Sequence, residues 1–161
     1  MRGVGIAAMA GTVAAAAMVG VAGNSVAKGA DGAAADGCVA ERSAVVSSGT
    51  EPGGTSSGPD AIFAFEYAYY VLRSGVAARA VVAADSVNVA PAEWIQDGID
   101  QHPSGSRYCV RIAPIRSGGG SEVWDVMVTQ QYPDGRVTEY AQEITTRRGE
   151  TGHLITRVDS K

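Results

Sequence analysis

Lysine is almost missing from this chain: only Lys28 and Lys161 occur, and arginine supplies the other cations. Acidic residues outnumber basic ones, 17 to 13, for a formal net charge of −4. A domain that wraps phosphate backbones needs a basic face. Nucleic acid is therefore excluded as a partner, and anionic membrane surfaces are disfavoured on the same ground. Histidine is equally scarce, with His102 and His153 alone. Two histidines do not make a zinc site, so no metal ligands are assigned. The chain's serines cluster in loops such as residues 53–58, outside the strand–turn–helix context that a serine-hydrolase nucleophile needs. The glycines of residues 53–58 are not followed by Gly-Lys-Ser/Thr, so they read as a linker and not as a phosphate loop. No catalytic residue and no cofactor site follows from any of these patterns.

A long apolar run, by contrast, is present at the N-terminus. Arg2 precedes the uncharged stretch Val4 to Val21, and Ser25-Val26-Ala27 places small residues where signal peptidase needs them. Residues 1–27 read as a cleaved export signal, leaving Lys28 first. The alternative is a retained membrane anchor through residues 4–22. The stretch approaches the length of a span, but it holds no leucine and a single isoleucine, Ile6. Lipidation of Cys38 is the weaker alternative, because Asp36 and Gly37 separate it from the apolar run. The expected location is secreted or cell-envelope associated.

Cysteine occurs twice, as Cys38 and Cys109. An even count in an exported chain implies a disulfide. Closing so long a loop stabilises by roughly 4 kcal/mol in the chain-entropy model.

Residues 28–58 are rich in Gly, Ser, Thr, Pro and Ala and read as a low-complexity lead-in. Within it, residues 38–46 read as a short strand or extended strap. The ordered domain is expected over 59–158. Pro59 and Asp60 suit a helix start. Ile62, Phe65, Tyr69 and Leu72 then recur at helical spacing. Glu66, Arg73 and Arg79 read as the polar margin of this helical region. Gly75 reads as a left-handed cap. A second helix is expected over Val76–Ala84, and a third from Pro91 to His102-Pro103. The period then changes to two. Tyr108, Val110 and Ile112 alternate with polar neighbours, as do Trp124, Val126 and Val128. Strands from Val137 to Thr145 and from Leu154 to Val158 follow, with Pro133-Asp134-Gly135 as a turn. The expected class is α+β, with N-terminal helices packed on a four-stranded antiparallel meander.

The segments AIFAFEYAYYVLRSGVAARAVVA, PAEWIQDGID and SRYCVRI resemble a family of uncharacterised exported domains of high-GC Gram-positive bacteria. Helices followed by a curved antiparallel sheet also resemble the NTF2-like (cystatin-like) superfamily. The resemblance implies a cone, with the first helix lying across the concave sheet. Enzymes of that class often work inside the cone, so the implied cavity-lining candidates are Tyr67, Tyr69, Tyr70, Trp124, Asp125 and Tyr140. Packing alone accounts for tyrosines in a core. The expected function is therefore a non-enzymatic binding or interaction module, whose partner is a small molecule or an extracytoplasmic protein. A small-molecule enzyme with an acid–base pair inside the cone is the alternative.

Overall fold

A computed structural model describes residues 32–161. The export signal, the alternative anchor at 4–22 and residues 28–31 lie outside the described residues. In chain order the elements are β1 (Glu41–Arg42), β2 (Ser47–Gly49), α1 (Gly58–Tyr67), a π-helical turn (Ala68–Leu72) and α2 (Gly75–Arg79). They continue with β3 (Val82–Val87), α3 (Ala92–Gln101), β4 (Arg107–Gly118), β5 (Ser121–Gln131), β6 (Val137–Gly149) and β7 (Gly152–Ser160).

Strands β4 to β7 form the antiparallel meander that the alternating residues predict. The sheet is nevertheless seven-stranded, not four-stranded, in the order β1-β2-β4-β5-β6-β7-β3. The β1–β2 hairpin adds to the β4 edge. Strand β3 adds to the other edge, parallel to β7. The expected Val76–Ala84 helix stops at Arg79, and β3 takes its last three residues, 82–84. An alanine-rich run is ambiguous by itself, and Val82 decides it here by pairing with Ile155 and burying its side chain. Register shifts at Pro114/Arg116 in β4 and at Thr145/Thr146 in β6 bend the long strands.

The helices cover the concave face of the curved sheet. Ser57 caps α1, its hydroxyl oxygen accepting from the Asp60 backbone N–H at 3.2 Å. Gly58 admits the helix start to the sheet: a Cβ there would sit 2.7 Å from the Trp124 ring. Ala61, Ile62 and Phe63 from α1 meet Tyr108, Val110, Ile112, Val126, Val128, Ile144 and Ile155 from the strands in one core. A smaller cluster joins Ala68, Ala78, Ile95 and Ile99 beneath α2 and α3.

The first helix departs from its expected pattern at its end. The π-helical turn widens the helix, with the Arg73 backbone N–H reaching back to the Ala68 carbonyl. That shift carries Leu72 off the apolar face, and it is 56% exposed. The left-handed cap is Arg73, with φ 50°, not Gly75. Gly75 serves close packing instead, since a Cβ there would lie 2.2 Å from the Ala92 carbonyl. The Cys38–Cys109 disulfide is present, with Cα atoms 5.6 Å apart, and ties the lead-in to β4.

Candidate functional site

Two adjoining cavities lie between the first helix and the concave sheet. One, of about 210 Å³, is lined by Phe65, Glu66, Tyr69, Tyr70, His102, Val128, Tyr140 and Gln142. The other, of about 160 Å³, shares Phe65, Glu66 and Gln142 and continues along apolar residues such as Ile62, Ile95 and Val158. Glu66 is thus the polar group common to both that is held by the helix.

Helical spacing puts it there. Glu66 stands four residues after Ile62 and four before Tyr70, on the face that meets the sheet. It is 6% exposed, and it makes no side-chain hydrogen bond or ion pair among the described residues. Burial alone pushes its carboxyl up to about 8. The expectation of a polar-margin residue is therefore overturned: the acid sits inside.

A hydrogen-bonded row closes one end of the cavity. Tyr70 Oη donates to Gln130 Oε1 at 3.3 Å, and Gln130 Nε2 lies 2.8 Å from His102 Nδ1. Gln130 is fully buried in β5. His102 is set by Arg73, whose Nη2 donates to the Ile99 and His102 carbonyls at 2.7 and 3.0 Å. Burial and then the Arg73 charge hold His102 below its ordinary value, which favours the neutral ring. Tyr69 is pushed up to about 12 by burial, with the Glu66 charge adding to it. Tyr70 is raised further for the same two reasons. Tyr140 is pushed up to about 12, mainly by its hydrogen bond with Tyr132. The tyrosines are thus neutral hydroxyls throughout the physiological range.

Of the residues named from sequence, Tyr69, Tyr70 and Tyr140 line this cavity. Tyr67 is half-buried and lines neither cavity. Trp124 lines a separate open groove at the start of α1, where its Nε1–H donates to Thr146 Oγ1 at 2.9 Å. Asp125 is exposed and pairs with Lys161. Glu66, His102 and Gln142 were not among the sequence candidates. The signal for Glu66 was its spacing from Ile62; for His102 and Gln142 the sequence carried none. Among the described residues, no three His, Cys, Asp or Glu side chains gather as a metal site.

Residues 35–159 match the sequence family described as a domain of unknown function (DUF8176). The chain belongs to that family. It has no significant match among curated proteins. A structure from Thiobacillus denitrificans, provisionally named a calcium/calmodulin-dependent protein kinase type II association domain, aligns with a TM-score of 0.55 and 18% identity, covering 66% of this chain and 94% of that one. A Δ5-3-ketosteroid isomerase from Mycobacterium sp. aligns at 0.45 and 16% identity, covering 63% and 92%. This second alignment is too loose to carry an argument. At such identities the likeness is one of fold: this DUF8176 domain has the NTF2-like α+β fold with a curved sheet.

Proposed function

We propose that this is an exported binding domain that takes a compact small molecule into the cone, with Glu66 as its polar anchor. The observation that carries the reading is Glu66, 6% exposed, bordering both cavities and without a hydrogen-bond partner among the described residues. Burying a carboxyl without a protein hydrogen-bond partner costs stability. A ligand group supplies the missing partner. The surrounding Phe65, Tyr69, Tyr70 and Tyr140 supply contact area. Export is supported by the sequence of residues 1–27 and by the Cys38–Cys109 bridge, which suits an oxidising compartment.

A ligand-observed NMR screen of small fragments against the purified protein tests the reading. Hits are expected to compete with one another and to vanish in Gln142→Trp, which fills the junction of the two cavities. Hits that all survive that substitution place binding elsewhere and defeat the proposal.

A second reading, an acid–base enzyme, is favoured by one observation. Glu66 and His102 line the same cavity, and their proton affinities are pushed in opposite directions. Turnover of a bound fragment that is lost in Glu66→Gln while binding persists would support it. Binding with no chemical change to the fragment keeps the first reading.

A further inference from the structure

We propose that the group recognised by Glu66 is a compact organic cation, an amine or a quaternary ammonium. This rests on the reading that the cone binds a small molecule, and it adds the chemical class.

Hydrogen-bond donors are already plentiful around the cavity. The Tyr69 hydroxyl and the Gln142 amide line it, and either can serve a carbonyl or ether oxygen. A carboxyl adds the one thing these cannot, a negative charge. Among the described residues, no Lys or Arg lines either cavity. The cation on the adjoining element, Arg73, is engaged by the Ile99 and His102 carbonyls. The other titratable groups near Glu66 are Tyr69, Tyr70, Tyr108, Tyr140 and His102, with Tyr132 hydrogen-bonded to Tyr140, and none of them supplies a positive charge at neutral pH. The charge deficit is therefore open to a ligand.

The walls agree. Phe65, Tyr69, Tyr70 and Tyr140 line the same cavity as the carboxyl, and ring faces attract cations, most strongly away from water. The full chain's net charge of −4 favours cationic over anionic ligands. The cavities, at about 210 and 160 Å³, suit a head group and not a drug-sized molecule.

Binding a cation requires Glu66 to give up its proton to solvent. Affinity then rises with pH, by at most about tenfold per unit, until Glu66 is ionised without help near pH 8. A neutral ligand shows no such climb.

The test uses choline and its neutral carbon isostere, 3,3-dimethylbutan-1-ol, titrated calorimetrically into the whole purified protein. Choline is expected to bind the wild type at least about tenfold more tightly at pH 8. Its affinity is expected to climb from pH 5 to 8, with proton release visible as a dependence of the heat on buffer ionisation. Glu66→Gln is expected to abolish both the preference and the climb, bringing choline down to the affinity of its isostere. His102, held below its ordinary value, is neutral by pH 6.5, so the climb read on the wild type from pH 6.5 to 8 reports Glu66 even if the variant folds poorly. Equal binding of both probes, or choline binding with no pH climb, overturns the cation inference and leaves the cavity reading standing. Binding of neither probe overturns both.

Discussion

Glu66→Gln gives the sharpest test of where that side chain sits. In the unfolded chain its carboxyl titrates near the ordinary 4.5; in the folded domain burial raises it to about 8. Between those values the folded state holds a proton that the unfolded state has lost. Stability therefore falls as pH rises through this window: the contribution is intact below about 4.5 and fully lost above about 8. At about 1.4 kcal/mol per pKa unit, the loss reaches about 3 kcal/mol at pH 7 and about 5 kcal/mol above pH 8, as upper figures. Glutamine has nearly the shape of the protonated acid and never ionises. The variant should match wild type within about 1 kcal/mol near pH 4.5 and exceed it by up to about 3 kcal/mol at pH 7. That corresponds to roughly 10 °C in Tm for a domain of this size. The assay is urea unfolding followed by circular dichroism at half-unit pH steps, with the difference curve as the readout. Other titrating groups are common to both proteins and cancel. Parallel stability curves from pH 5 to 8 would show that the Glu66 carboxyl is solvated, and the site built on it would fall.

Four further outcomes are expected. Replacing Cys38 and Cys109 together by serine should lower stability by roughly 4 kcal/mol, read as a urea midpoint shift; an unchanged midpoint would mean that the bridge constrains nothing. Phe63→Ala should cost about 3–5 kcal/mol and Leu72→Ala under about 1 kcal/mol, because the first side chain is fully enclosed and the second largely exposed; thermal melts showing the reverse order would reject the π-helical turn. Gly75→Ala should cost about 1–3 kcal/mol, since the added Cβ would lie 2.2 Å from the Ala92 carbonyl; a neutral melt would mean that α2 and α3 do not approach so closely. Mass spectrometry of protein recovered outside the cell should give Lys28 as the first residue; recovery solely of full-length chain from membranes would favour the anchor.

The meander was legible because long strands with alternating residues and a Pro-Asp-Gly turn leave little choice of structure. The three extra strands were not. β1 has two residues and β2 three, too short for any period to show. β3 follows an alanine run that is equally compatible with a helix, and only its pairing with β7 settles the matter. Glu66 illustrates a different failure. Its spacing from Ile62 and Tyr70 pointed inward, while its charge pointed outward. Charge is the better guide for most residues, and a binding cavity is where that guide breaks. Arg73 and Gln130 were illegible for another reason. Each acts through atoms 26 or more residues away, on Ile99 and His102, and nothing local records such a contact.

The π-helical turn at Ala68–Leu72 makes the length of this segment a fixed quantity. Its bonds span five residues where an α-helix spans four, so it amounts to one residue inserted into a continuous helix. Deleting a single residue there would let the helix close into ordinary α geometry with its backbone bonding intact. Everything beyond the deletion would then rotate by about 100° relative to Phe65 and Glu66. Arg73 would swing off the Ile99 and His102 carbonyls, and the wall that His102 and Gln130 build would lose its support. The turn at Gly119–Gly120 joins β4 and β5, and a side chain at either glycine would meet open space, so residues inserted there meet no neighbour. Insertions should therefore be tolerated at the β4–β5 turn and changes of length barred from the π-helical one.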